Sequence, residues 1–329
     1  MKHHVCRILK ELKDAEKVYI QPHNIPDPDA IASSFGLKTL LAYKGIESNI
    51  IHVETIEKAN SKKMVELFGI EMTVQDTIQY DKKDYVILVD SQIGHSNITN
   101  LFYENRLVVD HHEVTQDTCD YLYQDIRPQV GACASIITAY FQEEDIPIPI
   151  NVATALLYGI MMDTDNLTRR VSDLDIAMFY FLYNQADIRL IKSLKLNQIV
   201  KSDLIAYAKA LDSVEIYGYL GFVHIVNCND SLLGTISDMV NTIEGVLVVV
   251  AYAKRSDGVK FSIRSEMSKV KANTLVRYII HDKGVGGGHN EMAGGFMLAD
   301  KMDFLSNKQL DTYIRHRAIS YVEKVDPHL

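Results

Sequence analysis

Four short aliphatic and β-branched runs, at 18–21, 49–53, 85–90 and 106–110, are separated by stretches long enough for a helix. Runs that are apolar on both sides must be buried on both sides, which predicts a mainly parallel sheet covered by helices on both faces. Their ends constrain the chain further. The first run is followed by His23, Asp27 and Asp29, the third closes on Asp90, and the fourth closes on Asp110, His111 and His112. Open α/β sheets build their sites outside the carboxyl ends of strands. One aspartate after a strand can be a helix cap, but three strand ends carrying carboxylates or imidazoles are hard to explain as coincidence.

His23, Asp27 and Asp29 follow an H-x-x-x-D-x-D spacing between the first run and a helical run at 30–44. Pro26 and Pro28 fix φ in this strand-to-helix loop, and Asp29 can cap the helix. Taken alone, the stretch reads first as turn and capping chemistry, and a ligand set is the better reading only where partners appear elsewhere in the chain. Two further helical runs follow, 132–144 and 151–162; the second is dominated by alanine, leucine and methionine and delivers Asp163 at its end.

At 329 residues the chain exceeds the usual size of one core, so two domains are expected. The texture changes near 217, where runs at 221–226, 246–252 and 259–264 read as strands of a second sheet. We place a catalytic domain at 1–186, a helical connector at 187–216, which begins in the later part of a helical stretch from 175 to 211, and a second domain at 217–329. The fold class is α/β: a mainly parallel sheet with helices on both faces, joined to a smaller α/β domain with a mixed sheet. In that second domain a loop at 284–289 contains Gly286, Gly287 and Gly288 and ends on His289. Its backbone N–H groups can converge on an anion, with Arg264 and His289 adding charge-assisted donors. A flexible hinge, and a surface charge at Arg264, are the plain alternatives.

A composition of 47% hydrophobic and 23% charged residues describes a soluble globular protein. The net charge of −9 argues against a surface that coats duplex nucleic acid, yet leaves room for a small anionic substrate whose site is locally cationic. Cys6, Cys119, Cys133 and Cys228 are widely spaced and no secretory signal is visible, which favours the cytoplasm. The longest apolar run, 245–253, is too short to span a bilayer, so no membrane partner is expected.

In their order along the chain, His23-x-x-x-Asp27-x-Asp29-Ala30, Val89-Asp90-Ser91, Asp110-His111-His112 and Asp163-Thr164 resemble the four motifs of the DHH phosphoesterases. Ile263-Arg264-Ser265 and the glycines before His289, followed by Ala293-Gly294, resemble the DHH-associated domain. The resemblance covers nearly the whole chain. Within the superfamily, size and domain pair are similar to the stand-alone bacterial oligoribonucleases that also dephosphorylate 3′-phosphoadenosine 5′-phosphate.

This resemblance implies two divalent ions, manganese by preference, about 4 Å apart and activating a water between them. It assigns His23, Asp27 and Asp90 to one ion and Asp29, Asp90, His111 and Asp163 to the other, with Asp90 shared. His112 would contact the scissile phosphate or protonate the leaving group, and Asp110 would orient an imidazole. Arg264, Ser265, Gly286, Gly287, Gly288 and His289 would grip a terminal 5′-phosphate. The implied substrates are short single-stranded oligonucleotides, cut to 5′-mononucleotides, and the adenosine bisphosphate, cut to AMP and phosphate. Duplex is not a substrate, and a homodimer fits the family. Rival readings are a cyclic or linear dinucleotide phosphodiesterase, an inorganic pyrophosphatase or exopolyphosphatase, and a metal-free nucleotide-binding module. Pro28, Asp165, Leu167 and Val285 depart from the family pattern and bear on cleft shape and base preference.

Overall fold

The computed structural model describes residues 3–327 except 57–58, 96, 103, 115–119, 196–200, 227 and 303–305; Cys119 lies outside the described residues. The chain divides into two compact units, Met1–Gln198 and Ile199–Leu329. In the first, strands β1 (Lys17–Gln21), β2 (Ser48–His52), β3 (Met72–Val74), β4 (Asp84–Val89), β5 (Arg106–Asp110) and β6 (Tyr123–Ile126) form one sheet. Its order is β3-β2-β1-β4-β5-β6 and every pairing is parallel. The short outer strands β3 and β6 were too brief and too polar to stand out in the sequence.

Side chains alternate across a strand, and the two faces of this sheet are covered differently. Val18, Ile20, Ile50, Ile87, Val89, Leu107 and Val109 join the main core. That core is built with helices α1 (His4–Leu12), α2 (Pro28–Tyr43), α3 (Ala59–Phe68), α4 (Cys133–Glu143), α5 (Ile150–Asp163), α6 (Asp173–Tyr183) and α7 (Ile188–Lys195). Tyr19, Ile51, Val86, Leu88 and Val108 point the other way, into a smaller cluster closed by Phe102, Ile78, Tyr80, Ile93, Ile98 and Leu101. Helices on both faces were expected; among the described residues this second face is covered by irregular chain. The segment after β4 holds Ser91, Gly94, Asn97 and Asn100, which favour turns over helix, and Gly94 has φ 100°.

Helix α2 is capped by Asp27, whose side chain accepts from the backbone of Asp29 and Ala30 with Pro28 at the first position. The cap is therefore Asp27 and not Asp29, whose carboxylate lies in the first turn and turns inward. Eleven of the sixteen residues of α2 are buried, so it is a core helix without a solvent stripe. Gly159 lets α5 close on it: a Cβ there would stand 3.0 Å from Ala32 Cβ and 3.1 Å from Asp29 Oδ1. Asp163 follows one turn later on that face.

The second unit carries β7 (Glu215–Tyr217), β8 (Leu220–Val226), β9 (Val248–Lys254), β10 (Gly258–Ser265), β11 (Gly284–Gly288) and β12 (Met292–Leu298). They are ordered β11-β12-β10-β9-β8-β7, with β8 and β9 parallel and the other pairs antiparallel. Residues of α8 (Leu204–Asp212) and α9 (Asp230–Asn241) pack on Val223, Ile225, Val249 and Ala251; α10 (Ala272–Ile280) and α11 (Asn307–Val325) cover Phe222, Val250 and Phe261 on the other face. The single helical stretch expected over 175–211 is three helices, α6, α7 and α8, with 196–200 outside the described residues.

The glycine segment expected as a loop is the edge strand β11. Gly286 pairs with Gly295 of β12. A Cβ on Gly295 would stand 2.4 Å from Ile280 Cδ1, and one on Gly286 3.1 Å from Val276 Cγ1. These glycines let α10 lie directly on the two strands.

Candidate metal centre

Strands β1 and β4 are neighbours from which the sheet order runs outward in opposite directions, so their carboxyl ends form a topological switch point. The loop after β1 supplies His23, Asp27 and Asp29. Asp90 directly follows β4 with φ 58°, a left-handed conformation that is uncommon for a residue other than glycine and is concentrated at functional sites. Asp110 ends β5, with His111 and His112 after it, and Asp163 ends α5.

The geometry divides these side chains around Asp90. His23 Nε2 lies 3.8 Å from Asp90 Oδ2 and 3.9 Å from Asp27 Oδ1. His111 Nε2 lies 3.1 Å from Asp90 Oδ1 and 3.2 Å from Asp163 Oδ2. Asp90 thus offers one oxygen to each imidazole. His23, Asp27 and Asp90 present one set of convergent donor atoms, Asp29, His111 and Asp163 present another, and Asp90, Asp110, His111 and His112 form a third that shares Asp90 with the first and His111 with the second.

Hydrogen bonds around the donors fix their orientation. His111 Nδ1 lies 3.1 Å from Val130 O, which can only accept, so Nδ1 carries a proton and in the neutral ring Nε2 is the nitrogen left to face the carboxylates. Asp29 accepts from Cys133 N (2.7 Å) and Ala134 N (2.9 Å) at the start of α4. Asp110 is engaged on both oxygens: Oδ1 accepts from His111 N, His112 N and His112 Nδ1, and Oδ2 accepts from Gln92 Nε2 at 2.7 Å. It is placed to orient His112.

The electrostatics fit cations. Burial, with the charges of Asp90 and Asp163, pushes the Asp29 carboxyl well above the ordinary range. Burial likewise raises Asp90 strongly and Asp163 as well, with Asp27 adding to both. Asp90 Oδ1 and His111 Nε2 are buried and make no hydrogen bond. Acceptors of this kind, with oxygen and imidazole donors and no thiolate among them, suit a hard or borderline divalent ion. Asp110 behaves oppositely: against the effect of burial, the His112 hydrogen bond and charge hold its carboxyl well below the ordinary range. Burial works against charge on His112, but the Asp110 hydrogen bond and the Asp90 charge outweigh it and raise its pKa.

Three residues at this site had no role attached in the sequence. Gln92 holds Asp110, the His95 ring meets that of His112 edge-on with centroids 5.6 Å apart, and Arg169 Nη2 donates to Asp163 O at 3.0 Å. None belongs to a motif spacing. The Arg169 position depends on a turn in which Asp165, Asn166 and Leu167 all have positive φ (47°, 57° and 65°), which is how the chain accommodates two of its departures from the family pattern.

In the second unit, the register gathers Arg264 and Ser265 at the same sheet end as Gly288 and His289. Arg264 is 9% exposed and donates to Asp238 Oδ1 (2.6 Å), Ser262 Oγ (3.0 Å) and Ile263 O (3.1 Å). Ser265 Oγ is buried and donates to Val270 O. Gly286 O and Gly288 O accept from Arg277 and Asn273, and His289 N donates to Met292 O. Gly287 lies between them in the strand, and the departing Val285 is 70% exposed.

Residues 17–160 match the N-terminal domain of the DHH family, and residues 219–315 match the DHHA1 domain. The chain belongs to the DHH family and carries both domains. It is 29% identical over 295 residues to the uncharacterized protein MJ1633 of Methanocaldococcus jannaschii, covering 88% of this chain and 59% of that one. It is 31% identical over 151 residues to a protein of Streptococcus thermophilus named probable manganese-dependent inorganic pyrophosphatase, covering 45% and 48%. The matched stretch is thus less than two thirds of the length of these curated relatives. Among solved structures, an exopolyphosphatase-related protein from Bacteroides fragilis superposes with a TM-score of 0.79 at 18% identity, over 98% of this chain and 97% of that one. RecJ from Thermus thermophilus in complex with Mn2+ superposes with a TM-score of 0.59 at 14% identity, over 98% and 55%. These similarities establish the fold.

Proposed function

We propose that this protein is a divalent-metal-dependent phosphoesterase that hydrolyses short oligonucleotides to 5′-mononucleotides and 3′-phosphoadenosine 5′-phosphate to AMP and phosphate. One observation carries the reading: the two oxygens of Asp90 face two separate groups of imidazole and carboxylate donors. His23, Asp27 and Asp90 would hold one ion, and Asp29, Asp90, His111 and Asp163 the second. Ions so placed lower the pKa of bound water and stabilise entering and leaving oxygens of a phosphoryl displacement. Manganese is the preferred ion, in keeping with the name of the streptococcal relative and with the donor set.

The protein's own groups then have defined tasks. Val130 O keeps the His111 proton off the ligating edge. Asp110 holds His112 by its Nδ1 and favours its cationic form, suited to meet a phosphate oxygen or give a proton to a leaving oxygen. Arg264, Ser265, the Gly286–Gly288 backbone and His289 would engage the terminal 5′-phosphate. We also assign the protein to the cytoplasm. Among the described residues no helix is long and apolar enough to cross a membrane.

A pyrophosphatase is the second reading, favoured by the streptococcal relatives, although their match covers under half of this chain. A single panel separates the two. Metal-stripped protein given Mn2+ should hydrolyse adenosine bisphosphate and di- to pentanucleotides faster than cyclic dinucleotides, and pyrophosphate least. Pyrophosphate as the best substrate would replace the first reading with the second.

A further inference from the structure

We propose that Asp175, which no motif includes, is a positioning residue for one ion only, the one assigned to Asp29, His111 and Asp163. The proposal rests on the two-ion reading above. Asp175 is completely buried in the first turn of α6 and accepts four hydrogen bonds. Ser172 N (2.8 Å), Ser172 Oγ (2.6 Å) and Gly131 N (2.7 Å) donate to Oδ2, and Ser135 Oγ (2.6 Å) donates to Oδ1. The Ser172 N bond, with Asp175 N donating to Ser172 Oγ at 3.3 Å, is a capping box, and the Ser172 Oγ bond is local to it, so neither needs another purpose. The bonds to Gly131 and Ser135 reach 44 and 40 residues back along the chain, to the segment that leads into α4.

That segment holds two of the donors. Val130 O accepts from His111 Nδ1, and Cys133 N and Ala134 N donate to the two oxygens of Asp29. It has no slack at Gly131, where a Cβ would stand 2.5 Å from Arg170 O, 2.8 Å from Thr164 Cγ2 and 2.9 Å from Asp175 Oδ2. Thr164 and Arg170 bracket the turn whose Arg169 donates to Asp163 O, so the third donor is tied to the same knot. The other group is held by different means. Asp27 caps α2, and the His23 loop is fastened through Asn24 to Asn97 and Thr99. Loosening Asp175 should therefore relax Asp29, His111 and Asp163 together and leave His23 and Asp27 in place.

The test is titration of metal-free, full-length protein with Mn2+ alone, followed by calorimetry and by the electron paramagnetic resonance signal of free Mn2+. Wild type should take up two ions. Asp175→Asn should keep one at wild-type affinity and bind the other about 10- to 100-fold more weakly, the range found when outer partners of metal ligands are removed. Ser135→Ala, which deletes one of the four bonds, should weaken that same ion by a smaller factor. Asp27→Asn should weaken the opposite ion. A residue that served the fold alone would lower both affinities together, so an equal loss for both ions, or no loss for either, overturns the proposal. Should Asp175→Asn fail to fold by circular dichroism, Ser135→Ala decides, and unchanged affinity for both ions there overturns it. Uptake of a single ion by wild type would overturn the two-ion reading itself and this proposal with it; two ions with an unselective Asp175→Asn overturns this proposal alone.

Discussion

Asp90 concentrates the electrostatic problem of the first unit, a buried carboxylate between two imidazoles and within reach of other acids. Asp90→Asn should abolish turnover and lower the metal content of the purified protein; a variant keeping two tightly held ions and most activity would refute the shared-ligand assignment. The same substitution should act oppositely on the metal-free protein. The folded Asp90 pKa is raised by burial and by neighbouring Asp27 and Asp163, so its ionisation costs stability above that pKa. The cost fades as pH falls through the folded value and vanishes below the unfolded value of about 3.9. In chelator, Asp90→Asn should melt above wild type at alkaline pH, and the gap should close on acidification; a gap that widens toward acid would contradict the sign. At this scale the donors were legible, because strand ends must carry whatever acts there. Gln92, His95 and Arg169 were not, since each owes its place to a loop path that no spacing encodes.

At the scale of elements, Arg264 poses a competition. Asp238 sits 2.6 Å from its Nε and neutralises the charge that would meet a 5′-phosphate. Arg264→Ala should cost about 1.5–3 kcal/mol, roughly 10- to 100-fold in kcat/KM, on 5′-phosphorylated dinucleotides and far less on bis-p-nitrophenyl phosphate. Asp238→Asn should lower KM for the phosphorylated substrate. Equal losses on both esters for Arg264→Ala would assign it to folding. The parallel sheet, the mixed sheet and most helices were legible from run length and apolar pattern. The glycine strand was not: glycine reads as loop by propensity, and only the approach of α10 explains why β11 and β12 lack side chains at 286 and 295. The face of the first sheet on which no helix lies among the described residues was hidden for a related reason. The side chains that point to it are as apolar as those beneath the helices, and only the turn-rich composition of 91–100 hints at what covers them.

At the scale of the whole molecule, a net charge of −9 bears on substrate length. A chain without a basic excess is poorly suited to tracking a long phosphate backbone, so under the proposed function affinity is expected to come from one end of the substrate. Activity should be greatest on two to about five nucleotides, fall on longer single strands and be negligible on duplex. A 5′-hydroxyl dinucleotide should be cut more slowly than its 5′-phosphorylated counterpart. Processive digestion of a long single strand at a comparable rate, in matched salt, would remove this expectation.

The irregular chain that covers the second face of the first sheet also sets a clock. Asn24 N donates to Asn97 O at 2.7 Å, Thr99 N donates to Asn24 Oδ1 at 2.9 Å, and Gln21 donates to Thr99 O at 2.7 Å, so the His23 loop is moored to irregular chain over a small apolar cluster. Segments with little buried apolar surface open locally at lower free energy than helices in a main core. The two ions of the proposed centre should therefore leave at different times when the loaded protein meets excess chelator, the one beside His23 first and the one beside His111 long after it. A single-exponential release of both ions would mean that the two halves of the centre breathe as one.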